Sequence, residues 1–506
     1  MRWIMTTSIL LALAVRAGAA GVDDEKWNKA VQDFKDDFKK KSVVFKKRAL
    51  EALPVADERT IHFIIKEQRL LESKDWWIRY ASADRLARVN APELRKALHA
   101  YYAKGSKREI REGVIAALGL VKHRDDSPVI LAALDDPDWQ VRRMACFAAG
   151  AQRIRDAVDK MISMIHWVDR SGKVKQAGEL EPRVHSVLLF NLEEIVGTYF
   201  HTDVDQWKQY WDKNRDKTLP QVNRFDIAEY GGVKLEINDT FARRGTGHLV
   251  MVLPASHRTT TYFMPYLNQW LFARWVYINL PPVQSFPNVQ KDSDGDVIYP
   301  VDLLVDAFEE VRKKYNVEKT VVMADGFTNW VAAKYEQKYP DRVSGLVMIN
   351  PYATHETYSR RVDEALRSGD PDEEFWGKVS SKQLKPATAL EQERYDYVRW
   401  SALIHDQSDL ELAFLARLWD DPNGVTITIP KFDIRSGEGQ AKLWALMFFP
   451  PKNNKLGGFE DKNRLSRFYP KNICVDLKKS AMLPFMEEPA KFEEAMRTFF
   501  DKLGPP

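Results

Sequence analysis

The side chains that could do chemistry in this chain follow short apolar runs in its C-terminal half. Ser256 and His257 come after one such run, Asp325 directly follows another, and His355 comes shortly after a third. A hydroxyl or carboxylate near an imidazole is the combination that nucleophilic and general acid–base catalysis use. Such residues are expected to collect at one edge of a sheet, where the carboxyl ends of parallel strands meet. One interpretation is a hydrolytic site; the other is that these are ordinary polar residues at the wet edge of a sheet.

The elements that would position these side chains begin near residue 224, where the apolar periodicity changes from helical to strand-like. Residues 225–230 and 233–237 flank Gly231-Gly232 and predict a β-hairpin. Six apolar runs predict further strands: 248–253, 275–280, 320–324, 343–349, 427–435 and 473–477. Residues 302–315 and 329–339 predict crossover helices. This order predicts a mostly parallel sheet with helices on both faces.

Four segments of this half resemble the α/β-hydrolase superfamily. Residues 321–332 match that family's strand, sharp turn and helix, and residues 339–351 match its next helix end and strand. Residues 276–281 match an inner strand, and residues 483–492 match the segment after the catalytic histidine. The resemblance spans residues 225–503 and implies an α/β-hydrolase-like, mostly parallel sheet.

The family's nucleophile stands in a G-x-S-x-G turn between a strand and a helix. The family's spacing places Gly326 at that position, with Asp325 before it and Phe327 after it. Glycine has no group that could attack a substrate. It also adopts the strained backbone of such a turn at the lowest cost, because it has no Cβ.

Three further functional positions implied by the resemblance have changed. Met482 stands where the general base, a histidine, is expected, and a thioether cannot accept the proton. Gln440 stands at the position of the acid, where Glu438 could replace it, and residues 254–257 replace the oxyanion loop. Four changes within an intact series of strands and helices indicate that catalytic selection was released while the fold was kept.

A binding role is compatible with these losses. Residues 352–425 are charged, show helical spacing and occupy the place of the family's helical cap. A capped pocket can hold a small molecule without turning it over, and Ser256, Asp325 and Phe327 are predicted to line it. No cofactor or metal is predicted. An acidic stretch at residues 292–296 lacks the glycine and glutamate that a calcium loop requires further along.

Residues 21–219 show helical periodicity and contain a repeat. A β-branched residue followed by arginine occurs at positions 78–79, 110–111 and 141–142, so the interval is nearly constant. This interval is the length of a helix pair with its turns, and such a pair buries its apolar face only by stacking on neighbours. The segment resembles HEAT-like repeats, which implies an α-solenoid that docks a protein partner. A plain helical bundle is the alternative.

The segment at positions 1–20 is typical of a secretory signal. Arg2 precedes a short apolar run at residues 4–15, and small residues follow at 17–20. A disordered N-terminus or a short anchor is the alternative. No later segment stays apolar over the length that a membrane-spanning helix needs, so no transmembrane segment is expected after signal removal. The predicted division is therefore a signal at 1–20, a helical domain at 21–219 and a hydrolase-like domain at 220–506.

Composition narrows the partners and the compartment. The chain of 506 residues has 76 Lys and Arg against 72 Asp and Glu, a balance that argues against nucleic-acid binding. Two distant cysteines exclude a disulfide framework and suit a bacterial envelope compartment, so we expect export to the periplasm or secretion. We therefore expect a non-catalytic exported binding protein. A hydrolase with a relocated site around Asp325, His257 and His355 is the alternative.

Overall fold

The computed structural model describes most of the chain after residue 21. The described residues are 22–40, 43–55, 57–89, 92–105, 107–165, 182–198, 200, 203–220, 226–238, 247–253, 267, 270, 272–280, 286, 290–291, 297–298, 300–326, 328–369, 371–381, 383–384, 391, 427–428, 433–434, 441–451, 459–480 and 483–506. The predicted signal at positions 1–20 lies outside them.

The chain divides into two units, which meet in the sequence between Ile154 and Arg155. The boundary predicted at residue 220 falls within the second unit, and as a division between domains it stays a prediction. The α-helices of the first unit are α1 (Asp24–Phe38), α2 (Val43–Ala52), α3 (Arg59–His62), α4 (Trp76–Ala87), α5 (Pro92–Lys104), α6 (Arg108–Val121), α7 (Ser127–Ala133) and α8 (Trp139–Gln152).

The repeated arginines of the first unit make the same kind of bond. Each guanidinium donates to a main-chain carbonyl in the loop before its own helix. The three bonds are Arg79 to Ser73 O at 2.7 Å, Arg111 to Gly105 O at 3.4 Å and Arg142 to Asp136 O at 2.7 Å. The sequence repeat therefore has a physical meaning, since each arginine fastens the start of a helix to the loop that leads into it.

Two of these arginines also join one repeat to the next. Arg79 Nη2 lies 3.2 Å from Glu112 Oε2, and both side chains are buried. Arg111 donates two hydrogen bonds to the carboxylate of Asp136, from Nε to Oδ2 at 2.6 Å and from Nη2 to Oδ1 at 2.9 Å. Helix α6 packs against both α4 and α8, so these ion pairs connect helices that are already neighbours.

The α-helices that the structure describes before the sheet in the second unit are α9 (Val158–Ser163), α10 (Pro182–Val196) and α11 (Val204–Asn214). Trp207 and Trp211 of α11 are buried. The ring of Trp207 meets that of Phe200 edge to face, with 5.1 Å between centroids. The aromatic residues at the end of the helical region therefore serve as core.

The main sheet is built from the following strands: β1 (Asp226–Tyr230), β2 (Val233–Asn238), β3 (Leu249–Leu253), β4 (Arg274–Asn279), β6 (Thr320–Asp325), β7 (Val343–Ile349), β9 (Trp444–Phe449) and β10 (Asn472–Asp476). Their order across the sheet is β1-β2-β4-β3-β6-β7-β9-β10. Strands β1 and β2 form the predicted antiparallel hairpin, β2 pairs antiparallel with β4, and the remaining neighbours are parallel. The prediction of a mostly parallel sheet is confirmed.

The described part of one predicted strand belongs to a different sheet, and one strand of the main sheet was missed. Within the predicted run 427–435, β8 (Ile427–Thr428) pairs with β5 (Val297–Ile298) in a separate two-stranded sheet. Strand β9, which the prediction omitted, takes the place beside β7 in the main sheet. Residues 444–449 are uniformly apolar, whereas residues 427–435 include Pro430, Lys431, Asp433 and Arg435, so the missed strand had the stronger apolar pattern. Its place in the sheet depends in addition on the partner with which it pairs.

Helices cover the two faces of the sheet, as the alternation of β9 shows. Met447 and Phe449 belong to the apolar cluster that includes Phe308 and Val331, on the crossover helices. Phe448, between them, stacks on Phe492 with 5.2 Å between ring centroids. The helices of this region are α12 (Val301–Lys314), α13 (Thr328–Lys338), α14 (His355–Ala365), α15 (Pro371–Ser380), α16 (Lys462–Phe468), α17 (Pro484–Glu487) and α18 (Pro489–Leu503).

A buried polar group joins the two crossover helices. Arg312 of α12 donates to Glu309 Oε2 at 2.9 Å and to Oε1 at 2.6 Å, and Tyr335 Oη of α13 donates to Glu309 Oε2 at 2.8 Å. These bonds satisfy a charge that would be costly to bury alone. They hold α13, the helix that follows β6, in one position.

The predicted cap is described only in part. Helices α14 and α15 lie within residues 352–425 and agree with the helical spacing there. Most of residues 385–426 lie outside the described residues, so the cap as a whole stays a prediction.

Candidate functional site

The sharp turn predicted at Gly326 is present. Strand β6 ends at Asp325 and helix α13 begins at Thr328. Between them Gly326 has φ of +54°, in the left-handed region that favours glycine. The backbone therefore has the kind of conformation for which the sequence predicted a residue without Cβ.

A set of buried hydrogen bonds holds this turn. Thr328 Oγ1 lies 2.8 Å from the carbonyl oxygens of both Asp325 and Leu253, which share its single O–H, and it accepts from the N–H of Asp325 at 3.1 Å. These bonds connect the turn to the end of β3. Thr328 is fully buried, and its hydroxyl satisfies main-chain groups that have no hydrogen-bond partner within the strand or the helix.

Asn329 connects the same turn to the next strand. Its Nδ2 donates to Gly326 O at 2.9 Å and to Ile349 O at 2.8 Å, and the N–H of Gly326 donates to Ile349 O at 3.1 Å. The amide is fully buried. The turn is therefore rigid and bonded to the carboxyl ends of β3 and β7, although Gly326 has no reactive group.

The two described candidates for chemistry lie at the same edge of the sheet. Asp325 ends β6 and is 3% exposed. His355 is the first residue of α14, shortly after the neighbouring parallel strand β7, and is partly exposed. Thr354 caps this helix by accepting from the N–H of Thr357 at 3.4 Å. Asp325 and His355 thus stand at and shortly after the carboxyl ends of neighbouring parallel strands.

The remaining predicted site residues lie outside the described residues: Ser256, His257, Phe327, Glu438, Gln440 and Met482. One premise behind Gln440 is nevertheless wrong. The described part of the strand thought to precede it, within 427–435, pairs outside the main sheet, and β9 begins at Trp444, after Gln440 in the chain. The turn at the carboxyl end of the strand beside β7 therefore starts at Pro450, where the sequence reads Pro-Pro-Lys-Asn-Asn and has no carboxylate.

The segment that leads to Met482 is held by one carboxylate. Glu488 Oε2 accepts the main-chain N–H groups of Lys478 at 2.8 Å and Lys479 at 2.9 Å. Both residues follow β10, which ends at Asp476. The chain thus retains an ordered loop after its last strand, leading to the position where the family resemblance implied a histidine.

Sequence reasoning missed two features of this edge. Asn350, directly after β7, is fully buried with φ of +47°, and its N–H donates to Phe448 O at 2.8 Å. Asp461, after β9, is also buried, and its Oδ2 accepts the N–H of Ala353 at 2.8 Å. The Asn350-Pro351 pair was a signal of a turn, since asparagine tolerates positive φ. Asp461 had no signal in the sequence.

The described ranges contain neither a group of metal-ligating side chains nor a membrane-spanning helix. There, no three or more His, Cys, Asp and Glu side chains are grouped as metal ligands would be. Nor does any helix in those ranges combine the length and the apolar character needed to span a bilayer.

Two comparisons of sequence find known proteins that are similar to parts of this chain. The HEAT repeat family model matches residues 127–151, which include α7 and nearly all of α8. A proline iminopeptidase from Flavobacterium johnsoniae is 25% identical over 222 residues, covering 42% of this chain and 66% of that relative. The chain thus matches slightly less than two thirds of that relative's length.

Solved structures of similar fold have low sequence identity. VinJ is 14% identical, with a TM-score of 0.42 over 55% of this chain and 98% of VinJ. A proline iminopeptidase of Mycobacterium smegmatis is 11% identical, with a TM-score of 0.38 over 55% of this chain and 98% of that one. Carboxylesterase NP, a naproxen esterase from Bacillus subtilis, is 13% identical, with a TM-score of 0.37 over 55% of this chain and 90% of that one.

The fold can be stated from the strand topology and the two similarities of sequence. The chain has a helical N-terminal region, part of which matches the HEAT repeat model, followed by a mostly parallel sheet of the α/β-hydrolase type.

Proposed function

We propose that this protein is an exported binding protein whose α/β-hydrolase-like domain does not catalyse hydrolysis. The observation that carries the proposal is Gly326, which occupies the turn after β6 with φ of +54°. In the resembled family that turn presents the nucleophile. Here it presents no side chain, so no covalent intermediate can form at this position.

The retained bonds around the turn support a binding role over a decayed fold. Thr328 and Asn329 are buried and hold the turn to β3 and β7. Because each buried polar group costs stability when it loses its partner, these bonds keep the turn in one conformation. A rigid edge without a nucleophile is suited to holding a ligand.

The helical region would supply the second surface. Its HEAT repeat, its repeated arginine bonds and the packing of α4, α6 and α8 favour stacked helix pairs. Arrays of this kind present extended surfaces to partners. We infer a protein partner for this region and export through the segment at residues 1–20.

A working hydrolase is the second candidate, and one observation favours it. Asp325 is a carboxylate at the turn itself, one residue before Gly326, and His355 lies at the same edge. The similarity to a proline iminopeptidase from Flavobacterium johnsoniae fits a hydrolase acting on peptides. Under this alternative His257 and His355 would serve as the base.

Hydrolysis assays on the full chain separate the two proposals. The substrates are short- and medium-chain aryl esters together with the 4-nitroanilide of proline. The proteins are wild type, Asp325→Asn and, as a matched control, Asp341→Asn, which removes an exposed carboxylate on the turn before β7. We expect no turnover above that of a heat-inactivated sample with any of the three.

Turnover by wild type and Asp341→Asn that is lost in Asp325→Asn would overturn the binding proposal and establish the relocated site. The double substitution Gly326→Ser with Met482→His tests the pocket. If only that variant is active, the wild type lacks hydrolytic activity because the serine and histidine side chains are absent, and not because the pocket is closed.

A further inference from the structure

Strand β10 (Asn472–Asp476) forms an open edge of the main sheet. It stands last in the strand order, and in the part of the chain that the structure describes it pairs with β9 and with no second strand. Residues 472–475 are partly exposed and Asp476 is exposed, so the strand is accessible from solvent. An accessible edge strand offers unpaired main-chain groups that can accept an additional strand.

The register of β10 shows which main-chain groups are open. The N–H of Ala445 donates to Lys471 O at 2.9 Å, and the N–H of Leu477 donates to the last residue of β9 at 2.8 Å. Successive residues of a strand direct their main-chain groups to opposite sides, so the odd-numbered residues bond to β9. The N–H and C=O groups of Asn472 and Cys474 therefore point away from β9, and they have no hydrogen-bond partner among the described residues.

The devices that usually block an edge strand are few here. Lysine and proline commonly protect such strands, but neither occurs within Asn472–Asp476. Lys491 Nζ donates to Asp476 O and so covers the last residue of the strand. The centre of the strand, at Asn472 and Cys474, stays open.

Charge selects the kind of segment that fits this edge. Lys471 directly precedes β10, and Lys478 and Lys479 follow it; all three are exposed and have no ion pair among the described residues. Asp476 is the one carboxylate of residues 471–479, and its two oxygens already lie 2.6 and 2.7 Å from Lys462 Nζ. Unpaired positive charge therefore stands at both ends of the strand, where it attracts acidic groups.

A second copy of this chain fits the edge poorly. Two β10 strands paired antiparallel about Cys474 would place Lys471 of each copy opposite Leu477 of the other, close to Lys478 and Lys479. Like charges brought together across a strand pair are destabilising. The lysines thus oppose self-association and favour a partner of opposite charge.

We propose that the open edge of β10 binds an extended acidic segment of another protein, which adds to the sheet as a further strand. Main-chain bonds to Asn472 and Cys474 hold the segment, and the partly exposed Ile473 and Val475 contact its apolar side chains. Carboxylates at the two ends of the segment pair with the lysines that flank β10. This mode of recognition is β-strand addition. It is separate from the partner proposed for the helical region and does not depend on whether the domain hydrolyses a substrate.

Calorimetric titration of the full chain with a synthetic peptide tests this surface. The probe is the acetylated and amidated peptide Glu-Glu-Thr-Val-Thr-Val-Glu-Glu, whose valines share one face when it is extended. A peptide with lysine in place of each glutamate keeps the same centre and reverses the charge. We expect the acidic peptide to bind with a Kd of about 100 µM and the lysine peptide to bind about tenfold more weakly or worse.

Cys474→Pro and Cys474→Ala are matched variants at the centre of the edge. Proline removes the N–H that points away from β9, so the bonds to β9 stay while an added strand loses its partner. Alanine keeps this N–H and removes only the thiol, which lies 3.2 Å from Ser466 Oγ. We expect Cys474→Pro to weaken binding of the acidic peptide about tenfold or more, and Cys474→Ala to change it less than about twofold.

Lys471→Glu tests the charge without altering the strand. Its matched control is Lys319→Glu, because Lys319 directly precedes β6 as Lys471 precedes β10, and both are exposed and lack an ion pair among the described residues. We expect Lys471→Glu to weaken binding of the acidic peptide about fivefold and Lys319→Glu to leave it unchanged. This pair keeps the test decisive if Cys474→Pro does not fold.

Four outcomes would overturn the proposal. The first is no heat of binding with 1 mM acidic peptide, roughly ten times the expected Kd. The second is equal affinity of the peptide for Cys474→Pro and Cys474→Ala, and the third is equal affinity for Lys471→Glu and wild type. The fourth is a dimer in sedimentation equilibrium that Cys474→Pro abolishes and Cys474→Ala keeps, which would assign the edge to a second copy. Ester turnover in the assays above would refute the non-catalytic proposal and leave the peptide result unaffected.

Discussion

At the scale of single residues, the chain shows how a catalytic turn can persist without its nucleophile. Gly326 has the positive φ that the turn after β6 demands, and the side chains of Thr328 and Asn329 are committed to the main chain around it. An L-residue with a Cβ would be strained there. In an enzyme that strain aims the nucleophile; in this chain it is absent, because glycine meets the same geometry at no steric cost.

This predicts a loss of stability on Gly326→Ala. The substitution forces a Cβ into the left-handed region, and we expect the free energy of unfolding to fall by about 1–2 kcal/mol. Urea denaturation followed by circular dichroism measures the change. Gly369→Ala is the reference for backbone strain alone, since Gly369 has φ of +73° and no atom within 4 Å of a Cβ built there. An unchanged urea midpoint for Gly326→Ala would contradict the assigned backbone.

A second prediction concerns Glu336 of α13. The side chain is 9% exposed, and burial raises the pKa of its carboxyl above 4.5. Because the folded-state pKa is raised, the stability contributed by the protonated group is full below the unfolded pKa and is lost as the pH rises through the folded value. Glu336→Gln should therefore be more stable than wild type at neutral pH.

Urea denaturation over a range of pH checks this. The advantage of Glu336→Gln should shrink as the pH falls towards the unfolded-state pKa and vanish below it. Glu310→Gln, at a partly exposed position of α12 in a pair with Lys313, serves as the control and should show little change. An advantage that is independent of pH would mean that packing, and not ionisation, separates the variants.

At the scale of elements, ion pairs bridge the repeats of the first unit. Arg111 of α6 donates two hydrogen bonds to Asp136. Asp136 is buried and lies in the loop before α8. Arg111 has a second role, since it also donates to the loop before its own helix. Removing one partner of a buried pair leaves a charge in a site from which water is excluded.

We therefore expect Arg111→Met to lower the free energy of unfolding by about 3 kcal/mol. The double substitution Arg111→Met with Asp136→Leu should recover part of the loss, because it removes the unpaired charge as well. Arg88→Met is the matched control. It breaks a pair between Asp84 and an exposed guanidinium and should cost less than about 0.5 kcal/mol. If Arg88→Met and Arg111→Met lowered the free energy of unfolding equally, burial of the pair between Arg111 and Asp136 would contribute nothing to stability.

At the scale of the whole molecule, the chain divides into two units that meet in sequence at residues 154 and 155, and the second unit contains helices α9, α10 and α11 together with the sheet. Each unit has its own buried core, as α6 and α8 show in the first and β9 shows in the second. Units of this kind often unfold as separate cooperative events.

Differential scanning calorimetry of the full chain should accordingly show two transitions. Arg111→Met should shift only one of them and Gly326→Ala only the other, because each substitution acts on the core of its own unit. A single transition that both variants shift together would contradict independent unfolding.

The sequence by itself determined the features that depend on neighbouring residues. The opening hairpin, the crossover helices and β3, β4, β6, β7 and β10 lie close to their predicted bounds, since periodicity and turn residues act locally. The nearly constant interval of the repeat located the arginines that make equivalent bonds. The turn at Gly326 was also predictable, because its backbone conformation is a property of one residue between a strand and a helix.

Only the tertiary structure decided the features that depend on residues far apart in the chain. Residues 444–449 are uniformly apolar, but the place of Trp444–Phe449 beside β7 came from pairing between segments distant in sequence. Pairing between distant segments also forms the ion pair of Arg361 with Glu460, which are 99 positions apart in the sequence. Neither residue has a local sequence pattern that indicates this pairing, because a buried charge is stabilised by a partner that only the fold places beside it.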